Sequence, residues 1–136
     1  MYGIKVWSSE KDNIYLGHRR LSIIDLSKSA NQPMSSSDER YIIVFNGEIY
    51  NFKKLKDEVK KLSNVKFKTK CDTEVILELI VHFGFRKTLD KITGMFSLAV
   101  WDKKEKNLFL AIDPLGKKPL YWGVDEKSLV FASEIK

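Results

Sequence analysis

The stretch Tyr41-Ile42-Ile43-Val44-Phe45-Asn46-Gly47-Glu48-Ile49-Tyr50-Asn51 passes from an apolar run into a polar one. The apolar part predicts a buried strand that ends near Phe45. At Asn46-Gly47 the glycine lacks a Cβ, so a small ligand can approach the backbone closely. An asparagine amide beside a free backbone N–H also supplies two donors for a developing oxyanion. The same dipeptide is the strongest short hairpin signal, so a simple β-turn is the alternative that the rest of the chain must decide.

The composition is typical of a globular domain, with 136 residues of which 43% are hydrophobic and 12% aromatic. A chain of this size can bury one sizeable core, and no apolar run approaches the roughly 20 residues of a membrane span. The first residues lack the basic and apolar regions of a secretory signal. The single cysteine, Cys71, cannot form an internal disulfide, which suits a reducing compartment. We therefore expect one cytoplasmic domain over residues 1–136, with no membrane partner.

The charge balance is mildly basic, with 24 Lys and Arg against 18 Asp and Glu, a net charge of +6 and a pI near 9.3. Most lysines fall in two places, a helical pattern over residues 53–61 and a turn over residues 103–106. Acidic residues are interleaved in both, and no zinc spacing, recognition helix or RNA-binding aromatic signature accompanies them. This pattern favours solvated faces, so we expect no nucleic-acid partner.

Hydrophobic spacing predicts strands at both ends of the chain and helices in the middle. The strands are expected at residues 4–7, 14–16, 41–45, 65–69, 95–101, 108–112, 119–122 and 129–132, and residues 21–24 continue apolar before a loop over residues 27–38. The helices are expected from Phe52 to Leu62 after an Asn51 N-cap, from Thr73 to Phe83 with Asp72 or Thr73 at the start and Gly84 at the end, and from Lys87 to Ile92. This order is typical of an α+β fold with antiparallel sheets.

Seven motifs, in order, cover nearly the whole chain. They are Gly17-His18-Arg19-Arg20-Leu21-Ser22-Ile23-Ile24-Asp25, Asn31-Gln32-Pro33-Met34, Asn46-Gly47-Glu48-Ile49-Tyr50-Asn51, Cys71-Asp72-Thr73-Glu74-Val75-Ile76, Gly94-Met95-Phe96-Ser97, Asp113-Pro114-Leu115-Gly116-Lys117-Lys118-Pro119-Leu120-Tyr121 and Phe131-Ala132-Ser133-Glu134-Ile135-Lys136. Together they resemble the class II glutamine amidotransferase domain of asparagine synthetase. Asn46-Gly47 then belongs to a site rather than to a bare turn.

The resemblance implies an N-terminal-nucleophile fold, an αββα sandwich of two antiparallel sheets between helix layers. It also implies hydrolysis of L-glutamine to glutamate and ammonia, with the ammonia used by a synthetase domain or subunit for ATP-dependent amidation of aspartate. On this resemblance no cofactor or metal belongs to the present domain, since ATP and Mg²⁺ are used by the synthetase domain. A homo-oligomer is a further option among the partners.

The start of the chain departs from the family pattern. The family begins Met-Cys-Gly-Ile, and its cysteine is the nucleophile, whereas this chain begins Met1-Tyr2-Gly3-Ile4 and runs directly through a hairpin into Gly17-His18. We favour truncation over substitution, so that the first strand, first helix and nucleophile are not encoded. The chain alone is then expected to be inactive, and a non-catalytic remnant or protein-interaction module of the same fold is the alternative function.

The surviving motifs match a glutamine half-site. By resemblance, Arg20 holds the substrate α-carboxylate through its planar fork of donors, and the backbone of Leu21, Ser22, Ile23 and Ile24 lies along the substrate. Asn46 and Gly47 match the oxyanion hole. Glu48 and Asp72 match the acidic pair near the α-ammonium, where two carboxylates balance one cation.

Three residues in these motifs have simpler interpretations. Asp72 is also a candidate helix N-cap, and the two roles are compatible. Cys71 precedes a predicted helix, which can activate a thiol, but the neighbouring anionic Asp72 favours a passive small residue. His18 is expected to be structural.

Overall fold

The computed structural model describes residues 2–21 and 27–135, with residues 2, 3, 20 and 21 described by their backbone alone. Its strands and helices are, in chain order, β1 (Tyr2–Ser9), β2 (Ile14–Leu21), a 3₁₀ turn (Lys28–Ala30), β3 (Met34–Ser35), β4 (Tyr41–Ile49), α1 (Phe52–Leu62), α2 (Asp72–Phe83), α3 (Phe85–Lys91), β5 (Gly94–Asp102), β6 (Asn107–Ile112), β7 (Tyr121–Val124) and β8 (Leu129–Ala132). The predicted α+β class with antiparallel pairing is confirmed.

The central element is an antiparallel sheet in the order β3-β4-β5-β6. β4 and β5 pair along their whole length, from Tyr41 opposite Asp102 to Ile49 opposite Gly94. The strands β1 and β2 form one separate hairpin, and β7 and β8 form another. In this register Gly47 lies opposite Phe96.

Both faces of β4 are buried, which explains its continuous apolar run. Ile43, Phe45 and Ile49 contribute to the core beneath the helices. Ile42 and Val44 contribute to a smaller core on the other face. There they pack with residues of the β1–β2 hairpin and of β5, chiefly Trp7, Ile14, Leu16, Ala99 and Trp101. These elements therefore form three layers: the helices, the central sheet and the β1–β2 hairpin.

The helix α2 is the centre of the helical layer and contacts α1, α3 and β4. Its residues Val75, Ile76, Leu79 and Ile80 are almost fully buried. The helix ends as predicted at Gly84, whose φ of 80° is in the region that favours glycine. Because α2 is packed on several sides, its first turn is held firmly against the sheet.

The predicted strand over Val65–Thr69 is wrong, since residues 63–69 form no ladder. The carboxylate of Glu74 accepts hydrogen bonds from the N–H groups of Lys68 and Thr69 at 2.8 and 2.7 Å. Phe67 turns inward to the core beneath the Lys56 ammonium, which lies 4.6 Å from the ring centroid. The alternation of this segment therefore reflects packing against helices rather than strand pairing.

Asn51 occupies the N-cap position of α1, as predicted, but its side chain makes no capping bond. Its amide instead donates to Lys91 O at 2.9 Å, and its carbonyl oxygen accepts from Thr93 N at 2.9 Å. Asn51 thus ties the start of α1 to the end of α3, because the tertiary contact replaces the local one.

Candidate functional site

The edge of β4 beyond β3 is the most informative part of the sheet. β3 is short and pairs only with Ile42 and Ile43. Farther along this edge, the N–H of Phe45 donates to Gln32 Oε1 at 2.5 Å, and Gln32 Nε2 donates to Thr73 Oγ1 at 3.3 Å. Gln32 is 6% exposed. Its amide therefore continues the hydrogen bonding of this edge past β3 and connects β4 to the first turn of α2.

Asp72 accepts a hydrogen bond at the same edge of β4, four residues after Phe45. Its Oδ2 accepts a hydrogen bond from the N–H of Ile49 at 2.9 Å. Cys71 occupies the N-cap position of α2, so Asp72 is the first helical residue rather than the cap. The carboxylate is held at the sheet edge because α2 is packed against β4.

The N–H of Gly47 lies between these two occupied positions. In an antiparallel strand alternate residues direct their N–H groups to the same edge, so Gly47 shares the edge of Phe45 and Ile49. Its cross-strand partner Phe96 donates its own N–H in the opposite direction, to Asp113. Among the residues that the structure describes, none accepts a hydrogen bond from Gly47 N–H. An N–H group without a described acceptor therefore lies between two N–H groups that are hydrogen-bonded.

The Gly47 backbone leaves no space for a side chain. Its φ is 148°, and an ideal Cβ would lie 2.1 Å from Met95 O and 2.7 Å from Phe96 Cα. Gly94 has a similar contact, since its Cβ would lie 2.0 Å from Glu48 O. Glycine at position 47 is thus required by the close approach of β5 and not by a turn, so the β-turn alternative is wrong.

Asn46 precedes this donor and is half-buried in β4 opposite Ser97. Within residues 2–21 and 27–135, no protein group forms a hydrogen bond with its side-chain amide. Two donors that are adjacent in sequence thus have no acceptor among the described residues, and they are candidates for holding a carbonyl oxygen.

The two acidic residues differ in their surroundings. Asp72 is 7% exposed, whereas Glu48 is exposed. Burial raises the pKa of the Asp72 carboxyl, and the nearby Glu48 charge raises it further, while hydrogen bonds from Ile49, Asp72 and Thr73 N–H groups oppose the change. An ammonium group beside these two carboxylates would lower the pKa of Asp72 again, because a nearby positive charge favours the ionised form.

Two further residues of the quoted motifs have structural contacts. His18 Nε2 lies 3.1 Å from Phe45 O, within hydrogen-bond distance, which supports the expected structural role. Cys71 is buried, and its Sγ lies 3.0 Å from Thr69 Oγ1. The thiol is therefore packed in the core rather than presented to a ligand.

Asp113 has a role that the sequence reasoning did not assign. Its Oδ2 accepts from Phe96 N at 3.0 Å, and its own N–H donates to Phe96 O at 2.9 Å. Gln32 was missed in the same way. Both occur in the quoted motifs, but only their positions beside β4 and β5 reveal what they hold.

The remaining predicted ligand residues are on β2 and just after it. Arg20 and Leu21 end β2, with Gly3 and Tyr2 as their Cα partners, and only their backbone is described. Ser22, Ile23 and Ile24 lie outside the described residues. The roles predicted for all five remain predictions.

Across residues 2–21 and 27–135 there is no group of three or more His, Cys, Asp or Glu side chains placed to hold a metal ion. Among the described helices, none has both the length and the apolar character needed to cross a bilayer.

A family model described as a glutamine amidotransferase domain matches residues 3–136. The chain is 42% identical over 125 residues to asparagine synthetase [glutamine-hydrolyzing] 1 of Bacillus subtilis, covering 92% of this chain and 19% of that protein. It is 36% identical to a putative asparagine synthetase [glutamine-hydrolyzing] 2 of Methanocaldococcus jannaschii, covering 98% of this chain and 28% of that protein. The chain thus spans 19% and 28% of the length of these two relatives.

The structure is also similar to a solved one, the glutamine phosphoribosylpyrophosphate amidotransferase of Bacillus subtilis complexed with ADP and GMP. The TM-score is 0.74 at 25% sequence identity, over 88% of this chain and 27% of that one. The fold class predicted from the motifs is confirmed by this likeness.

Proposed function

We propose that this chain, which belongs to the family of glutamine amidotransferase domains, binds L-glutamine at the open end of β4 and supplies the oxyanion donors for hydrolysis of its side-chain amide. The observation that carries the proposal is the Gly47 N–H, which has no acceptor within residues 2–21 and 27–135 and lies between the bonded N–H groups of Phe45 and Ile49. Asn46 provides the second donor. Hydrolysis would convert glutamine and water into glutamate and ammonia.

The electrostatics of the site support an amino-acid ligand. Asp72 and Glu48 place two carboxylates near one another, and an α-ammonium group complements them. Arg20 is assigned to the α-carboxylate on the resemblance alone. With these groups the site would recognise both charged ends of the amino acid, while Asn46 and Gly47 face its side-chain carbonyl.

Cys71 is not proposed as the nucleophile. This thiol is the only cysteine in the sequence and is 7% exposed, within hydrogen-bond distance of Thr69. A covalent nucleophile typically accounts for several powers of ten in rate. We therefore expect the chain to bind glutamine without releasing ammonia at an enzymatic rate of about 1 s⁻¹ or more.

The ammonia needs an acceptor, and this acceptor is the second part of the proposal. The relatives that are named asparagine synthetases are several times longer than this chain. We propose that a synthetase domain or subunit uses the ammonia for ATP-dependent amidation of aspartate, with ATP and Mg²⁺ bound there rather than here.

Calorimetry with L-glutamine tests the proposal directly. The chain should bind glutamine, and Asn46→Leu and Asp72→Asn should weaken that binding. The matched control is Asp125→Asn, because Asp125 bonds only within the β7–β8 turn. Absence of glutamine binding by the parent chain would overturn the proposal, as would equal affinity in the parent and both site variants.

Arg20 has its own variants. Arg20→Ala should cost about 2–5 kcal/mol of binding free energy, since truncation would leave the substrate carboxylate without its proposed partner. Arg20→Lys should restore only part of the loss, because an ammonium cannot make the bidentate contact. If Arg20→Ala binds glutamine as tightly as the parent does, the assignment of Arg20 is wrong.

A docking role is favoured by a second observation, the apolar outer surface of the two hairpins. Ile4 and Val6, on one face of β1, are 75% and 64% exposed, and Trp122 and Val124, on one face of β7, are 66% and 64% exposed. Neighbouring exposed apolar side chains on one strand face are candidates for an interaction surface. Sedimentation of the purified chain tests this role: self-association should decrease in Trp122→Ser, whereas a monomeric parent would contradict it.

A further inference from the structure

The carboxylate of Asp113 holds both its own loop and a neighbouring strand. On the loop side it accepts hydrogen bonds from the N–H groups of Leu115 and Lys117 at 3.0 and 3.1 Å, and from Lys118 at 3.5 Å. On the strand side it accepts from Phe96 N at 3.0 Å. Asp113 is 2% exposed, so these backbone donors, rather than bulk water, satisfy it.

Phe96 is the cross-strand partner of Gly47. Asp113 bonds the N–H of Phe96 through its side chain and the carbonyl through its own N–H, at 3.0 and 2.9 Å. These bonds extend the β5–β6 ladder one step beyond the last strand pair, Ser97 with Ile112. On its other side, Phe96 lies opposite Gly47, and the neighbouring pairs Glu48 with Met95 and Asn46 with Ser97 continue the β4–β5 ladder on either side. Because the two strands are paired here, a displacement of Phe96 is expected to move Gly47 with it.

We propose that Asp113 is a positioning residue for the Gly47 N–H, acting through the Met95–Phe96 backbone. The inference rests on the proposed function for its catalytic meaning, because the N–H that Asp113 positions is the proposed oxyanion donor. The loop carboxylate and the donor are on opposite sides of β5, and the strand between them transmits the constraint. Asp113 itself need not touch the substrate.

The competing explanation is that Asp113 only closes its own turn. Asp125 provides a matched comparison, since its carboxylate accepts from Lys127 N and Ser128 N at 2.8 Å each. The hydrogen bonds of the Asp125 carboxylate stay within the β7–β8 turn. Replacing Asp113 should therefore affect Gly47, whereas replacing Asp125 should not.

The test is ¹⁵N-glycine labelling of the chain, which contains seven glycines and so gives a simple amide spectrum. In Asp113→Asn without ligand, we expect the Gly47 cross-peak to shift, together with that of Gly116 in the loop. The cross-peaks of Gly17 and Gly84 should remain in place. In Asp125→Asn the Gly47 cross-peak should stay at its parent position.

The result that would overturn the proposal is a shift at Gly116 with none at Gly47, since this would show that Asp113 closes only its turn. Where Asp113→Asn fails to fold, Gly116→Ala replaces it. Gly116 has a φ of 62° and only Ile112 Cδ1 within 4 Å of an added Cβ, at 3.9 Å, so alanine strains the loop while the carboxylate is kept. A Gly47 cross-peak that stays unmoved in a folded Gly116→Ala would likewise overturn it.

Titration with L-glutamine separates this inference from the proposed function. If the parent chain binds glutamine, its Gly47 cross-peak should shift during the titration, and Asp113→Asn should lose most of that shift. If the parent shows no response to glutamine, the proposed function fails. The ligand-free displacement of Gly47 by Asp113→Asn still decides the positioning role in that case.

Discussion

Gly47 and Met95 are in closer contact than any other residue type at position 47 would permit. A Cβ on Gly47 would lie 2.1 Å from Met95 O, and real Cβ atoms essentially never approach so closely. The contact involves two backbones, so a side-chain rotation cannot relieve it. The strand pairing that places Phe96 opposite Gly47 therefore also requires glycine at the proposed oxyanion donor.

Gly47→Ala should destabilise the fold by at least about 2 kcal/mol, because it combines overpacking with a strained φ. Urea unfolding measures the change. The control is Gly123→Ala, in β7, where an added Cβ meets nothing within 4 Å. The control should lie within about 1 kcal/mol of the parent, and an equal loss in both variants would contradict the close-contact explanation.

Gln32→Leu should cost about 1–3 kcal/mol of unfolding free energy, because it leaves the buried Phe45 N–H without an acceptor. Thr73→Val removes only the other end of the bridge, a 3.3 Å bond, and should cost less, about 1 kcal/mol. Amide exchange at Phe45 gives an independent measure. If the two variants lose equal stability, Gln32 is not the main support of this edge.

The stability of Asp72→Asn relative to the parent should depend on pH. Burial raises the folded-state pKa of Asp72 above the ordinary value of 3.8. The folded parent therefore takes up a proton before the unfolded chain does, and gains stability as the pH falls through that folded pKa. The stability of Asp72→Asn relative to the parent should be highest at neutral pH and should decrease as the pH falls toward about pH 4. A constant difference across that range in denaturant unfolding would contradict the raised pKa.

Asp102 should show the opposite dependence. Burial alone would raise its pKa, but hydrogen bonds from Arg40 and from the N–H groups of Glu105 and Lys104 lower it below 3.8. Its contribution is therefore present above the ordinary value and is lost as the pH falls through the folded value. Asp102→Asn should be less stable than the parent at neutral pH, and the difference should shrink in acid.

The control for Asp102 is the Glu58–Lys91 ion pair, in which both side chains are about one-third exposed, at 36% and 31%. Water screens such a pair, so Glu58→Gln should change stability less than Asp102→Asn does. Thermal melts of both variants at several pH values make the comparison. An equal effect would show that the geometry of the Arg40–Asp102 pair, at 2.6 and 2.9 Å, adds nothing to stability.

Periodicity predicted all three helices and the paired strands except β3, because their apolar residues follow the spacing of a buried face, whereas the two residues of β3 fall in a segment predicted as a loop. The Val65–Thr69 prediction failed for the same reason: an extended segment packed against helices alternates like a strand. Asn51 is the N-cap residue as predicted, but local propensity could not show that its side chain bonds to Lys91 and Thr93, some 40 residues away.

The motifs predicted Asn46, Gly47, Glu48 and Asp72 as site residues, but not the groups that hold this part of the sheet. Gln32 and Asp113 were quoted within motifs without a role, because a side chain that bonds a distant backbone N–H leaves no local pattern. Their partners Phe45 and Phe96 are 13 and 17 residues away. Such long-range bonds become visible only when strand order and register are known.

The sequence by itself determined the family, the α+β class and the polar end of β4, since these follow from residue types and their order along the chain. The tertiary structure decided which backbone donor stays open. β3 ends at Ser35, Gln32 and Asp72 take the N–H groups of Phe45 and Ile49, and β5 excludes a side chain at Gly47. Hydrogen-bond acceptors reach that edge from separate parts of the chain, so only folding determines which N–H group they leave free.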